Sequence, residues 1–413
     1  MSKKLRVILA SCMAVGMLLF SYWVTSQRYA VSGETTLLRK IELVRGWFKP
    51  HVNPMSDSVL LVNVSYDPVL FVTDDSYGIP AGYDKMTDRQ KLLQLLTELD
   101  RKKDYKYILL DVEFADDIHS ETDSALFTLI SSMDKIVIPR DYERRLADES
   151  LYDKAGLANY FTNFKFVSFA KFPYIVDGQE SLPLKMYQEL TGRHINQHGL
   201  FSTDGFWLAR ESVVLPFELR CDSAYTQEGE KVWYNLGMDL LGSNYVYGND
   251  TIQGTDELYT NPGLTKGKYI VIGAFSSGDS HYSYQENQPG PAILFNAFLS
   301  LMNGRHQVSY GVMLLLAISF FILSYLILGQ QTIDEAIAER ITGSTKTGKA
   351  VQKVFGVLAS WIGYSMFLTL LCIITYLWMG EVYDIFITAT LFQIISILVN
   401  WIYKLKNKAK HAK

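Results

Sequence analysis

The stretch YKYILLDVEFADD, residues 105–117, decides the fold. It is a short, continuous apolar run of the kind that suits a strand buried on both faces. It then breaks into carboxylates at Asp111, Glu113, Asp116 and Asp117. Working outward, SVLLVNVSYD at 58–67 repeats the pattern and ends in Asp67, while MTDRQKLLQLLTELDRKK at 86–103 sets leucines at 92, 95, 96 and 99 behind Thr87 as N-cap. Downstream, the segments at 121–133, 181–192 and 289–304 carry helix patterns. Those at 135–141 (KIVIPRD) and 268–279 (KYIVIGAFSSGD) carry strand patterns. The last helix has Pro291 near its start and Gly304 past its end. Apolar strands alternating with amphipathic helices predict an α/β domain, a mainly parallel sheet with helices on both faces.

The region 195–265 is poorer in signal. HINQHG, GSNYVYGNDTIQG and YTNPG read as loops, SVVLPFELR as an edge strand and KVWYNLGMDLLG as a short helix. ETTLLRKIELVRGWF at 34–48 places Leu37, Ile41, Val44 and Phe48 on one helical stripe.

The 413 residues are 48% hydrophobic with a formal net charge of −4, and the apolar content is unevenly spread. Stretches at 7–25, 310–328, 354–379 and 385–403 reach the roughly 20 residues that a helix needs to cross a hydrocarbon core. The predicted architecture is therefore an exported α/β domain plus four transmembrane helices, one N-terminal and three C-terminal. The boundaries are a cytoplasmic tip with the first membrane helix at 1–29, the exported domain at 30–307, the second helix at 308–329, a cytoplasmic link at 330–353, the third and fourth helices at 354–380 and 381–403, and a basic tail at 404–413.

Basic residues set the orientation. Lys3, Lys4 and Arg6, then Arg340, Lys346, Lys349 and Lys353, then Lys404 and the lysines after it all fall on one side, the cytoplasm, whereas the link GEVYD has only acids. The LASC at 9–12 has the residue types of a lipoprotein cleavage site. The apolar run before it is shorter than a signal peptide requires and continues past it, so an uncleaved anchor is expected. Cys12 and Cys372 lie in membrane stretches, so Cys221 alone falls in the exported domain and no disulfide forms within it.

In an open parallel sheet, ligands bind outside the carboxyl ends of the strands. The residues leaving each strand are therefore the candidate ligand contacts: Asp67, Asp111, Glu113, Asp116, Arg140, Ser277 and Asp279, with Asp141 and His281 on the same rim. A rim dominated by carboxylates suits a cation, a sugar or an amine-bearing ligand; the alternative is that these loops are polar because they are wet. Asp111 and Glu113 share a strand face at period two. Asp111 and Asp279 are expected at neighbouring strand ends facing one crevice, with Arg140 as the basic group within reach.

Gly273 and Gly278 have phosphate-loop spacing, but Asp279 stands where the lysine belongs and no helix follows directly, which excludes a nucleotide site. His194 and His198 have helical metal spacing, but the glycines around them mark a loop and no metal is expected. Cys221 reads as a small core residue. No catalytic motif is present, so neither an enzyme nor a cofactor is expected.

The order of parts resembles the second type of CHASE domain, the extracytoplasmic sensory domains attached to bacterial adenylate cyclases and histidine kinases. The residues that carry the likeness are VLLVNVSYD, QKLLQLLTELDRKKDYKYILLDVEFADD and above all YIVIGAFSSGDSHYSYQENQPGPAILFNAFLSLMNG, with Ile272, Gly273, Asp279, Pro289, Gly290 and Asn296 at the matching positions. The resemblance implies a periplasmic sensing domain on a bacterial inner-membrane protein. A lysine-rich tail follows the last membrane stretch in place of a kinase or cyclase, so the expected readout is a separate membrane or cytoplasmic protein, reached through helix contacts or the link, where Ile333, Ala336, Ile337 and Ile341 form a stripe. Other expected partners are membrane lipid, an unidentified small-molecule ligand and, as an option, a second copy of the chain. Nucleic acid is not expected. The competing readings are a scaffold subunit of a cell-envelope complex and, further off, an extracytoplasmic hydrolase using the acidic rim.

Overall fold

The computed structural model describes residues 2–28, 58–66, 68–74, 80–159, 171–199, 201–215, 217–219, 221, 232–247, 250–275, 280–283, 287–329, 346–379 and 385–411. The stripes at 34–48 and 333–341 lie outside these residues. The chain divides into two compact units: Phe48–His194 with Val213–Gly304, and Met1–Trp47 with Ile195–Ser212 and Arg305–Lys413.

The first unit is built on a six-stranded sheet. Its strands in chain order are β1 (Val59–Asn63), β2 (Tyr107–Leu110), β3 (Ile136–Arg140), β4 (Ala155–Leu157), β5 (Tyr234–Asn235) and β6 (Tyr269–Gly273). The spatial order is β5-β1-β6-β2-β3-β4, and every pairing is parallel. Among the described residues the unit's helices of ten residues or more are, in chain order, α1 (Arg89–Lys102), α2 (Asp123–Ser132), α3 (Leu182–Thr191) and α4 (Gly290–Met302). On one face Leu60, Ile108, Ile136 and Ile270 pack with Leu92, Leu96 and Leu99 of α1 and with Leu126 and Ile130 of α2 in one core cluster. On the other, the Tyr269 ring meets Phe295 and Phe298 of α4 at 5.8 and 5.4 Å, and the Tyr107 hydroxyl donates to Glu189 of α3. With both faces covered, β1 and β2 are buried along their whole length, which is why they read as unbroken apolar runs.

Local chemistry fixes the helix ends. The N-cap of α1 is Asp88, not Thr87: the Asp88 carboxylate accepts from the backbone N–H of Gln90 and Lys91 at 3.1 and 3.0 Å. At the end of α3, Gly192 takes the left-handed conformation (φ 68°) that glycine adopts without steric cost. The mid-domain expectations need correction. KVWYNLGMDLLG supplies the edge strand β5 and only then one π-helical turn, Leu236–Leu240. HINQHG holds a strand, Ile195–His198, and the tyrosines of GSNYVYGNDTIQG a hairpin, Tyr245–Tyr247 with Asp250–Ile252. Strands of two to four residues are too short for their period to show.

Among the described residues, the second unit holds four helices long and apolar enough to cross a membrane, in the segments Lys3–Thr25, Tyr310–Leu328, Gly356–Tyr376 and Ile387–Leu405. The first two run antiparallel and are tied at one end by Arg6. Its guanidinium donates to the Tyr325 carbonyl at 2.9 and 2.6 Å and lies 3.8 Å over the Tyr325 ring. A Cβ at Gly329 would fall 1.6 Å from that guanidinium, so glycine stands where the arginine reaches the helix end. At the other end the Tyr22 hydroxyl donates to the Ala209 carbonyl at 2.7 Å and accepts from the Ser202 N–H at 3.3 Å. This anchors a three-stranded antiparallel sheet, Ile195–His198, Phe201–Asp204 and Trp207–Ala209.

The buried phenols of the α/β unit give it an alkaline limit. Burial, reinforced by the Glu189 carboxylate, pushes the Tyr107 hydroxyl well above its usual range. Burial also pushes Tyr105 up to about 12 and raises Tyr269. A group whose folded pKa is raised contributes stability that is complete below its unfolded pKa, near 10, and is lost as pH rises beyond that value. Urea melts of the detergent-solubilised chain should therefore show stability falling as pH rises above about 10. Tyr107→Phe should make that fall shallower.

Candidate functional site

At the carboxyl edge of the sheet a cleft of about 520 Å³ is lined by Asp111, Glu113, Pro139, Asp141, Ala158, Asn159, His281, Gly290, Ile293 and Leu294. Its walls are the loops leaving β2, β3 and β4 and the first turn of α4. The volume falls within the roughly 300–1,000 Å³ of small-molecule sites. Its position is the one that open parallel sheets use.

Asp111 follows β2 directly, with its backbone N–H donating to the Ile272 carbonyl at 2.7 Å. Asp141 follows β3 and is held by Asn159: the Asn159 amide donates to Asp141 Oδ2 at 2.9 Å, and its oxygen accepts from the Tyr142 N–H at 2.9 Å. Glu113 is exposed at the rim, where Arg144 bridges it to Asp117 at 2.6 and 2.8 Å. The Glu113 hydrogen bond, followed by its charge, holds the Arg144 guanidinium above its usual range. Beside Asp111, α4 begins at Gly290 behind Pro289, and among the described residues no side-chain hydrogen bond caps it. Its first-turn N–H groups are thus the electropositive wall of an otherwise acidic cleft.

Gly273 belongs to this construction. A Cβ there would stand 2.4 Å from Pro291 Cγ and 3.1 Å from Asp111 Cβ. Glycine lets the end of β6 come against the start of α4 beside Asp111. The segment that follows is a short strand, Ser280–Tyr282, and the helix begins only at Gly290. Gly273 is therefore spent on packing, and Gly278 lies outside the described residues.

The structure brings together Asp111 and Glu113 of the expected contacts, with Asp141 and His281 from the same rim. Asp116 is exposed outside the cleft. Arg140 turns away from Asp111, donating to Gln179 and lying 5.8 Å from the Tyr152 ring. Asp67, Ser277 and Asp279 lie outside the described residues, and with them the expected pairing of Asp279 with Asp111. Sequence reading missed Asn159 and Asn63, and named Gly290 only through the resemblance, not as a site residue. Asn63, buried at the end of β1, accepts from Ser65 Oγ at 2.7 Å and the Phe275 N–H at 3.0 Å, and donates to Asn235 at 2.9 Å. One amide thereby locks the ends of β5, β1 and β6. The signal was an amide closing the apolar run VLLVN.

The fold and cleft define a class: a doubly covered parallel α/β unit with a cleft at the carboxyl edge, on a chain that has four membrane-length helices among the described residues. Compared with protein-family models, curated proteins and solved structures, the chain matches none.

Proposed function

We propose that this chain is a multi-pass protein of a bacterial inner membrane whose α/β unit lies in the periplasm and binds a small polar ligand, acting through a separate protein partner. The observation that carries the reading is the cleft: Asp111, Glu113 and Asp141 line it together with His281 and the first turn of α4 around about 520 Å³. Carboxylates accept hydrogen bonds from ammonium and hydroxyl groups, so the ligand is amine-bearing or polyhydroxylated. The basic residues flanking the four apolar helices support the orientation, and the CHASE-type resemblance supports the sensory role.

A thermal-shift screen of amines, amino acids and sugars on the detergent-solubilised chain tests it. At a concentration of about 100 Kd a ligand of the native state adds roughly 2.7 kcal/mol, so at least one compound should raise the midpoint by several degrees. Asp111→Asn combined with Asp141→Asn should abolish that rise while leaving the unliganded midpoint nearly unchanged. A rise that survives in the double variant would place binding elsewhere.

A further inference from the structure

We propose that the hairpin tip at Gly205 and Phe206 is a lipid anchor, with the Phe206 ring set into the bilayer interface. The strands Phe201–Asp204 and Trp207–Ala209 are joined by a two-residue turn in which Asp204 pairs with Trp207. Gly205 supplies the positive φ of 60° at its first position, the arrangement of a type II′ turn. This leaves Phe206 at the tip with 96% of its surface exposed.

A single exposed apolar side chain is ordinary on a soluble protein, and the argument for lipid comes from where this one is held. The Tyr310 hydroxyl donates to the Phe206 carbonyl at 2.6 Å, and the Trp207 ring lies 5.0 Å from the Tyr310 ring. Tyr310 is the first residue of the membrane-length helix Tyr310–Leu328. At 1.5 Å per residue that helix is about 28 Å long, close to the hydrocarbon thickness of about 30 Å. Its first residue therefore sits at the boundary, and so does the turn bonded to it. The first apolar helix reports the same level independently: Tyr22 bonds the base of the hairpin, its ring lies 5.5 Å from Phe201, and the next residue, Trp23, is half exposed. Tyr22, Trp23, Phe206, Trp207 and Tyr310 thus form an aromatic belt, amphipathic rings at headgroup depth. One part of it is carried by a sheet instead of a helix.

The test uses the full chain with Cys12→Ala, reconstituted into phosphatidylcholine–phosphatidylglycerol vesicles and labelled with one environment-sensitive fluorophore at Phe206→Cys. Tyr142→Cys, on the α/β unit, is the aqueous reference, and Leu314→Cys, on an exposed face of the second apolar helix, reports the bilayer itself. Phe206 makes no core contact, so its replacement leaves the hairpin intact. The expected result is several-fold stronger quenching at 206 by a lipid-borne nitroxide than at 142, with aqueous iodide showing the reverse. Iodide quenching at 206 equal to that at 142 would overturn the proposal, provided 314 responds to lipid. A probe at 206 that neither quencher reaches would overturn it too, since protein and not lipid would then cover the turn.

Discussion

Replacing Asp123 with alanine is expected to destabilise the α/β unit by about 3–5 kcal/mol, because it strands a buried guanidinium. Arg89 and Asp123 meet at 2.5 Å with side chains 2% and 12% exposed. Arg89 also donates to the Ile118 carbonyl at 3.1 Å and lies 5.5 Å from the Phe114 ring, and Asp123 accepts from the Ser120 N–H at 2.8 Å. The pair joins the first turn of α1 to the first turn of α2 on one face of the sheet. Removing the carboxylate leaves a buried guanidinium without its counter-charge. Replacing both partners together, Arg89→Met with Asp123→Leu, should recover most of the loss, because exchanging a buried pair for apolar side chains is often neutral. Denaturant midpoints of the three chains check both statements, and a double variant as unstable as the single one would contradict them.

Gly273→Val should cost about 2–3 kcal/mol, in the range of overpacked cores, and should also remove ligand binding. The added side chain collides with Pro291 on one side and Asp111 on the other, so the structure yields only by moving the start of α4 or the end of β2. Both are walls of the cleft. Gly16→Val is the control: nothing lies within 4 Å of a Cβ there, and it should leave the thermal response to ligand unchanged. A Gly273→Val chain that still binds ligand normally would separate the cleft from the site.

The parallel sheet was legible because strands covered on both faces keep their apolar residues consecutive, and because the Leu92, Leu95, Leu96 and Leu99 stripe has helical spacing. All four leucines are at most 1% exposed. The N-cap was misplaced by one residue because Thr87 and Asp88 are both cap formers, and only geometry shows whose oxygen reaches the next N–H groups. β5 was illegible: its two residues are held by the Asn63–Asn235 amide contact, across 172 positions of sequence. In the site, Asp111 and Glu113 could be found because they leave a recognisable strand. Asn159 could not, since it reaches the cleft through tertiary packing, and Gly290 was named only through the resemblance. Arg140 was placed correctly at a strand end, but Gln179, outside any pattern, sets where its side chain turns.

The most direct test of the central claim is mass spectrometry of everything that stays bound to the full chain after gentle detergent extraction, alongside the Asp111→Asn, Asp141→Asn variant. An amine-bearing or polyhydroxylated small molecule is expected on the native chain and not on the variant. A native chain that carries a stoichiometric protein but no small molecule, or a small molecule retained equally by both chains, would contradict it.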